Sequence, residues 1–380
     1  MYQSLNILVL TTIIFGYSCS QSDKKSDTKL LNINIDSTAY YDSIYASLKF
    51  SIDTFFRNKY LKDEFNGNIL FSENNRIIIS GSYGYAAPDK NDTLTLKHAF
   101  QLASVSKTIT ATAVLMLLEK KLIELDQKVN HYLDSFPYPG VTVRMLLCHR
   151  SGLSNYMYYC DKVITDKNKP IYNKDVYEIT CKHKPPPYYQ PNQTYDYCNT
   201  NYVLLALIIE KVSGMSYSDF LQKNIFIPLK MEHTFVYEKG KTKLPQFAVA
   251  GYDHRGKMIA DYYQNGVTGD KGIYSTVEDL YKFDLALRQQ KLLTDSTLQL
   301  AYKATSNEHE TQGNDNYGLG WRIKQSHAGY KVVYHTGWWK GFRSYFIRNI
   351  TKNQTIIVLD NIKRGPFLSV EELLQLLNSN

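Results

Sequence analysis

Runs with strand character sit at both ends of this chain and runs with helix character fill the space between, which restricts the fold more than any other feature. Near the start, Gly67 to Ser72 and Arg76 to Tyr83 are β-rich stretches on either side of Glu73-Asn74-Asn75, a hairpin by composition. Near the end, Tyr330 to His335, Arg343 to Ile350 and Thr355 to Leu359 have the same character, separated by turns that contain Gly or Asn. Helical spacing marks Ser43 to about Leu61, through Ile44, Leu48, Ile52, Phe55 and Phe56, and then Ser106 to Leu122, Val143 to Cys148, Asn201 to Val212, Thr276 to Gln289 and Ser369 to Leu377. This order predicts an α/β (α+β) fold. An antiparallel sheet is built from both chain ends and flanked by helices, and a mostly helical subdomain, about residues 120–250, is inserted between them. A ligand cleft is expected where the two parts meet.

A core of that size needs apolar residues, and 43% of the 380 residues are hydrophobic. The net charge of +8 is spread along the chain with no block of five or six like charges, so it reads as solvated surface and no nucleic-acid partner is expected. Zinc-finger spacing and a phosphate-cradling GxxxxGK[ST] are absent. His309-Glu310 is followed by Gly313 where an HExxH site needs histidine. Neither a metal nor another cofactor is expected.

The first residues stand apart. Ile7 to Phe15 is an apolar run too short to span a bilayer, followed by small and polar residues up to Cys19, so residues 1–18 read as a signal peptide. Gly16-Tyr17-Ser18-Cys19 resembles a bacterial lipobox, in which the cysteine receives a diacylglycerol; the bulky Tyr17 and the lack of a preceding Lys or Arg depart from that pattern. An ordinary cleaved signal peptide and a buried strand are the competing readings. Residues 19–40 form a polar tether, and the folded domain, residues 41–380, begins near Tyr41. Export would permit disulfides. Cys160 and Cys181, in a loop-rich stretch, are the expected pair, while Cys148 and Cys198 sit beside helical runs as buried thiols.

Ser104-Val105-Ser106-Lys107 opens the most apolar helical run. A spacing of three puts Ser104 and Lys107 on one face, one turn apart. A serine hydroxyl needs a neighbouring base to become a nucleophile, and burial favours the neutral, proton-accepting form of a lysine. The helix N-terminus adds backbone N–H groups suited to an oxyanion. The same spacing at Ser22 and Lys25 lies in the tether and carries no meaning. A second element, Tyr197-Cys198-Asn199, follows the Pro185-Pro186-Pro187 stretch and precedes a helix: a tyrosine can relay a proton and an asparagine can hold an amine. Tyr263-Gln264-Asn265 competes for that role, and a capping loop with a packed tyrosine is the plain alternative to both. A third element is His335-Thr336-Gly337 at the end of a predicted strand. Its glycine would admit a substrate close to the strand, and the Trp338 N–H would complete an oxyanion hole. His327-Ala328-Gly329, at a turn, is its competitor.

The order SVSK at 104, YCN at 197 and HTG at 335 resembles the three catalytic boxes of the serine β-lactamase-like and penicillin-binding protein superfamily, nearest its class C and DD-peptidase-related branch. Val141 to Leu153 (VTVRMLLCHRSGL), Asn224 to Val236, Gly269 to Leu280 (GDKGIYSTVEDL) and Tyr317 to Trp321 (YGLGW) resemble it too, so the likeness covers about Phe65 to Asn361. It implies a β-lactamase/transpeptidase-like fold and a serine hydrolase. Ser104 is then the acylated nucleophile, Lys107 the general base, Tyr197 the proton relay and Asn199 the positioning amide. His335, Thr336, Gly337 and Trp338 form the substrate-binding strand. It leaves His149, Ser151 and Gly152 structural. Cys198 stands where the family often has serine, and His335 where the KTG form has lysine. If the His335 imidazole faces a substrate carboxylate, selectivity for that anion should grow as pH falls.

A cell-envelope address and these boxes together point to D-amino-acid peptides, of the DD-carboxypeptidase or D-aminopeptidase type, or related amides and esters as small-molecule or peptidoglycan-peptide substrates. The membrane would be reached through the lipid anchor. A β-lactamase or carboxylesterase of the same fold is the alternative, and a non-catalytic sensor of cell-wall peptides is the alternative from another class.

Overall fold

A computed structural model describes residues 43–87, 91–306, 315–325, 329–362 and 364–377. The signal peptide, Cys19, the tether, His309-Glu310 and most of His327-Ala328-Gly329 lie outside the described residues.

The path starts with α1 (Ser43–Leu61) and the hairpin β1 (Gly67–Glu73) and β2 (Arg76–Tyr83). Asn74 and Asn75 have φ of 49° and 61°, the doubly left-handed two-residue loop that asparagine tolerates and that matches strand twist. Short strands β3 (Tyr85–Ala87), β4 (Asp92–Thr93) and β5 (Phe100–Gln101) lead to a tight turn, Ala103–Val105, and to α2 (Ser106–Glu119). The helical part contains α3 (Val129–Tyr132), α4 (Val143–Leu147), α5 (Tyr156–Val163), α6 (Asn173–His183), α7 (Thr200–Ser213) and α8 (Tyr217–Leu221). The chain returns through β6 (Phe235–Val236), β7 (Ile273–Ser275), α9 (Val277–Arg288) and α10 (Asp295–Ala301). It then lays down β8 (Asp315–Tyr317), β9 (Arg322–Gln325), β10 (Lys331–Trp339), β11 (Phe342–Asn349) and β12 (Gln354–Asp360) and closes with α11 (Val370–Leu376).

Seven strands form one antiparallel sheet in the order β2-β1-β12-β11-β10-β9-β8, so the two chain ends meet where β1 pairs with β12, Gly67 opposite Asp360. Both faces of its centre are buried, and alternate residues serve different layers. Tyr345, Ile347, Ile356 and Val358 pack with Ile52 and Phe56 of α1 and Leu373 of α11. Phe346, Ile357 and Leu359 join the larger core around α2, α7 and α9. In α2, Ser106 to Leu115 is buried on every side, and from Thr108 on its sequence is apolar or Thr/Ala all round, without a polar face.

Two expectations change. The strand expected to end at His335 runs on to Trp339, because Thr336 to Trp339 pair with Tyr345 to Phe342 across β11. Cys160 and Cys181 are not joined: all four described cysteines are free. Their stretch is two helices, α5 and α6, in place of loops. Cys160 packs inside a small core with Tyr156 and Val176, while Cys181 is half-exposed beside Tyr177.

Candidate active site

Ser104 sits on the tight turn ahead of α2, half-exposed among buried neighbours. Ala103 before it has φ of 47°, a left-handed conformation that a residue with a Cβ adopts only when its surroundings impose it. Here β10 and β11 impose it. The Ser344 hydroxyl donates to the Leu102 carbonyl at 2.5 Å. Gly337 lies so close that a Cβ there would stand 2.4 Å from the Leu102 oxygen and 3.0 Å from the Ala103 Cβ. The glycine therefore admits the serine's own turn to the strand, a different reason for it than access of a substrate.

Lys107 is fully buried one turn on. Its Nζ lies 3.1 Å from Ser104 Oγ, 2.8 Å from Asn199 Oδ1 and 2.8 Å from the Asp270 carbonyl oxygen. Burial pulls its pKa down to about 8, with Asp270 opposing that fall and Arg322 adding to it. A neutral amine has two hydrogens and one lone pair. Asn199 Oδ1 and the Asp270 carbonyl oxygen can only accept, so they take the hydrogens and the lone pair is left for the Ser104 proton.

Tyr197 and Asn199 arrive on the segment that leads into α7. The Tyr197 ring lies 5.0 Å from Lys107 Nζ, and its buried hydroxyl has no hydrogen-bond partner among the described residues. Burial raises that hydroxyl above the ordinary phenol range, with Ser104 pulling the other way. It stays protonated and has capacity to spare for a reacting group. Cys198 turns inward: its N–H donates to His149 Nδ1 at 3.1 Å, and burial pushes its thiol up to about 11. His149 is buried against the Tyr197 ring, at 4.3 Å between centroids, and is structural. Tyr263-Gln264-Asn265 is structural as well. Tyr263 bonds Asp161, and Asn265 accepts from the Trp339 indole at 2.7 Å.

A cleft of about 270 Å³ over Ser104 is lined by Tyr197, Asn199 and Met157 on one side and by Thr336, Trp338 and Trp339 on the other. Thr336, Gly337 and Trp338 are thus brought to the serine. His335 is not. It lies beneath the cleft, 1% exposed, with its ring 6.2 Å from that of Tyr197, Nε2 3.0 Å from the Tyr317 hydroxyl and Nδ1 2.7 Å from the Thr336 carbonyl. Burial, with Arg322 and Lys107 nearby, holds its pKa well below the ordinary histidine value, so it is neutral and cannot attract an anion.

Three charged residues that line the cleft were missed from sequence: Arg322, Asp270 and Lys271. Arg322 Nε is buried with no hydrogen-bond partner among the described residues, and its guanidinium lies 5.4 Å from the Tyr197 ring centroid. No spacing signalled it. For Asp270-Lys271 the signal was present: two charged residues inside an otherwise apolar, Gly-rich stretch between Val267 and Ile273. Among the described residues no cluster of His, Cys, Asp and Glu could hold a metal ion, and no helix is long and apolar enough to cross a membrane.

Residues 66–377 match the beta-lactamase family model. The chain belongs to that family. It is a serine hydrolase of the β-lactamase-like and penicillin-binding protein superfamily. A penicillin-binding protein of Bacillus subtilis (strain 168) is 35% identical over 326 residues, covering 82% of this chain and 71% of the relative. The fold is shared with a penicillin-binding protein from Bacillus halodurans, at TM-score 0.72 and 24% identity over 85% of this chain and 98% of that one. A D-amino acid amidase from Ochrobactrum anthropi SV3 has the same fold, at TM-score 0.73 and 22% identity over 88% of this chain and 99% of that one.

Proposed function

We propose that this family member is a cell-envelope hydrolase that forms an acyl-enzyme at Ser104 and acts on D-amino-acid peptides or amides that carry a free carboxylate. Lys107 takes the Ser104 proton while Oγ attacks the scissile carbonyl carbon. The resulting oxyanion is held by the backbone N–H groups of Ser104 and Trp338. As the C–N bond breaks, the proton passes from Lys107, through Tyr197, to the departing amine, and water then hydrolyses the Ser104 ester. The carboxylate preference rests on one observation: Arg322 brings a guanidinium to the cleft with its Nε unpartnered. The D-configuration rests on the name of one structural neighbour, a D-amino acid amidase.

The test is the ratio of kcat/KM for a D-Ala-terminated peptide to that for its C-terminal amide. Acylation chemistry common to both substrates cancels in that ratio. Arg322 keeps its charge at every working pH. The ratio should therefore favour the carboxylate and stay flat from about pH 5 to 8, in contrast to the rise toward low pH that a titrating His335 would give. Arg322→Gln should lower it about tenfold to a hundredfold, the value of a charge-assisted hydrogen bond. A wild-type ratio near one, or one indifferent to Arg322→Gln, would overturn the carboxylate assignment. A preference for penicillins or simple esters across the same panel would replace the peptide.

The envelope address rests on Ile7 to Phe15 and Cys19, with a diacylglycerol on Cys19 as the membrane contact and residues 19–40 as tether. Full-length protein made in a bacterium should partition with membranes, and Cys19→Ala should release it to the soluble fraction. Identical partitioning of the two forms would remove the anchor.

A further inference from the structure

A second buried lysine lies beside the first. Lys271 is 3% exposed, and its Nζ is 2.6 Å from the Tyr156 hydroxyl, 3.2 Å from the Val267 carbonyl oxygen and 3.5 Å from Asp270 Oδ1. The Tyr156 hydroxyl in turn donates to Asp270 Oδ2 at 3.1 Å, which closes a ring of lysine, tyrosine and carboxylate. The backbone carbonyl of that same Asp270 holds Lys107. Two amines and one carboxylate therefore share a largely desolvated region at the edge of the cleft.

A buried carboxylate stabilises one ammonium; burial pulls both amines down to about 8, and it is the contacts that distinguish them. Lys271 has the ion pair with Asp270, whereas Lys107 meets only the neutral oxygens of Ser104, Asn199 and the Asp270 backbone. The other groups around Lys107 are silent near neutral pH. Burial keeps His149 and His335 neutral and pushes the Cys198 thiol up to about 11. The Tyr197 and Tyr202 hydroxyls are raised the same way. Arg322 carries a constant charge. Only the Asp270–Lys271 pair is left to set where the proton goes.

We infer that Asp270 and Lys271, tied through Tyr156, are positioning residues that hold the shared proton on Lys271 and so leave Lys107 free to accept the one from Ser104. The inference rests on Lys107 being the base. Without the Lys271 ammonium, the Asp270 charge would act on Lys107 and bind a proton there. Without the Asp270 carboxylate, neither lysine would have an anion to keep it charged.

The experiment is the pH dependence of the second-order rate of Ser104 labelling by an uncharged fluorophosphonate, measured on the whole protein. Lys271→Met, which keeps the length of the stem, should move the acid limb upward by about one unit, a tenfold loss of rate on that limb. Asp270→Asn should move the limb downward, and the Asp270→Asn/Lys271→Met pair should return it to near the wild-type position. A purely structural role would lower the plateau and leave the limb in place. Limbs that stay put, or that move the same way in both single variants, overturn the inference. The direction of the Lys271→Met shift decides the matter alone if Asp270→Asn does not fold. Labelling that survives in Lys107→Met with an acid limb would instead remove the reading of Lys107 as base, a distinguishable failure.

Discussion

Lys107→Met is expected to slow acylation of Ser104 by about 10² to 10⁴-fold, the usual contribution of a placed general base, while the protein stays folded. The lysine is fully buried, so a side chain of similar length and no charge fills its place without a cavity. Two effects on stability oppose each other. Removing a buried amine relieves desolvation, but Asn199 Oδ1 and the Asp270 carbonyl oxygen each lose a donor at 2.8 Å, at about 1 to 3 kcal/mol for a buried group left unmade. The relieved desolvation offsets part of that cost, so the net loss in unfolding free energy should be smaller than the cost of the two lost hydrogen bonds. Single-turnover labelling with a fluorophosphonate or penicillin probe, read by mass spectrometry on the Ser104 peptide, measures the first quantity and a denaturant midpoint the second. Wild-type labelling by a folded Lys107→Met protein would remove Lys107 from the mechanism. The pH dependence has a defined sign. With Lys107 pulled down to about 8 by burial, wild-type rate should fall as pH drops below that value, because the protonated amine has no lone pair to offer.

The sequence made some of this legible and hid the rest for physical reasons. Local pattern carried the elements: β-rich runs in β11 and β12, helical spacing in α1, and an Asn-Asn turn between β1 and β2. Ser104 and Lys107 could be found because they are close in sequence, the serine on the tight turn that runs into α2 and the lysine in its first turn, so a spacing of three still brings them together. Their partners lie on other elements, 92 residues on for Asn199 and 163 for Asp270, and no spacing rule reaches that far. The motif that names His335 also misled, since it gives a residue type without the depth at which the side chain lies. His335 shares its face of β10 with Gly337, which abuts the Ser104 turn, and with Trp339, which lines the cleft, yet its own side chain is packed beneath the Tyr197 ring. Thr336 lines the cleft, whereas His335 bonds Tyr317. The anion-attracting role expected of the imidazole is the one proposed above for Arg322, on the neighbouring strand, 13 residues earlier.

The same strand gives the second large effect. Gly337→Ala should reduce kcat/KM by about a hundredfold. The new Cβ would stand 2.3 Å from Ser344 Oγ and 2.4 Å from the Leu102 carbonyl oxygen, where ordinary contact begins near 3.4 Å. The hydroxyl can rotate away, at the loss of its bond to that same carbonyl. The carbonyl is backbone, two residues before Ser104, so relief of the second clash moves the nucleophile by about 1 Å, enough to cost about 10²-fold in a reaction that depends on orientation. Overpacking of this kind also costs about 1 to 3 kcal/mol of stability. A second substitution separates the two losses. Ser344→Ala in the Gly337→Ala background removes the side-chain clash alone, so the unfolding midpoint should recover in part while kcat/KM stays low. Wild-type kcat/KM in Gly337→Ala would mean that the turn yields without moving Ser104, and the close approach of β10 would then have no part in placing the nucleophile. Full recovery of activity in the double variant would trace the defect to Ser344, leaving the Leu102 carbonyl free to shift without consequence.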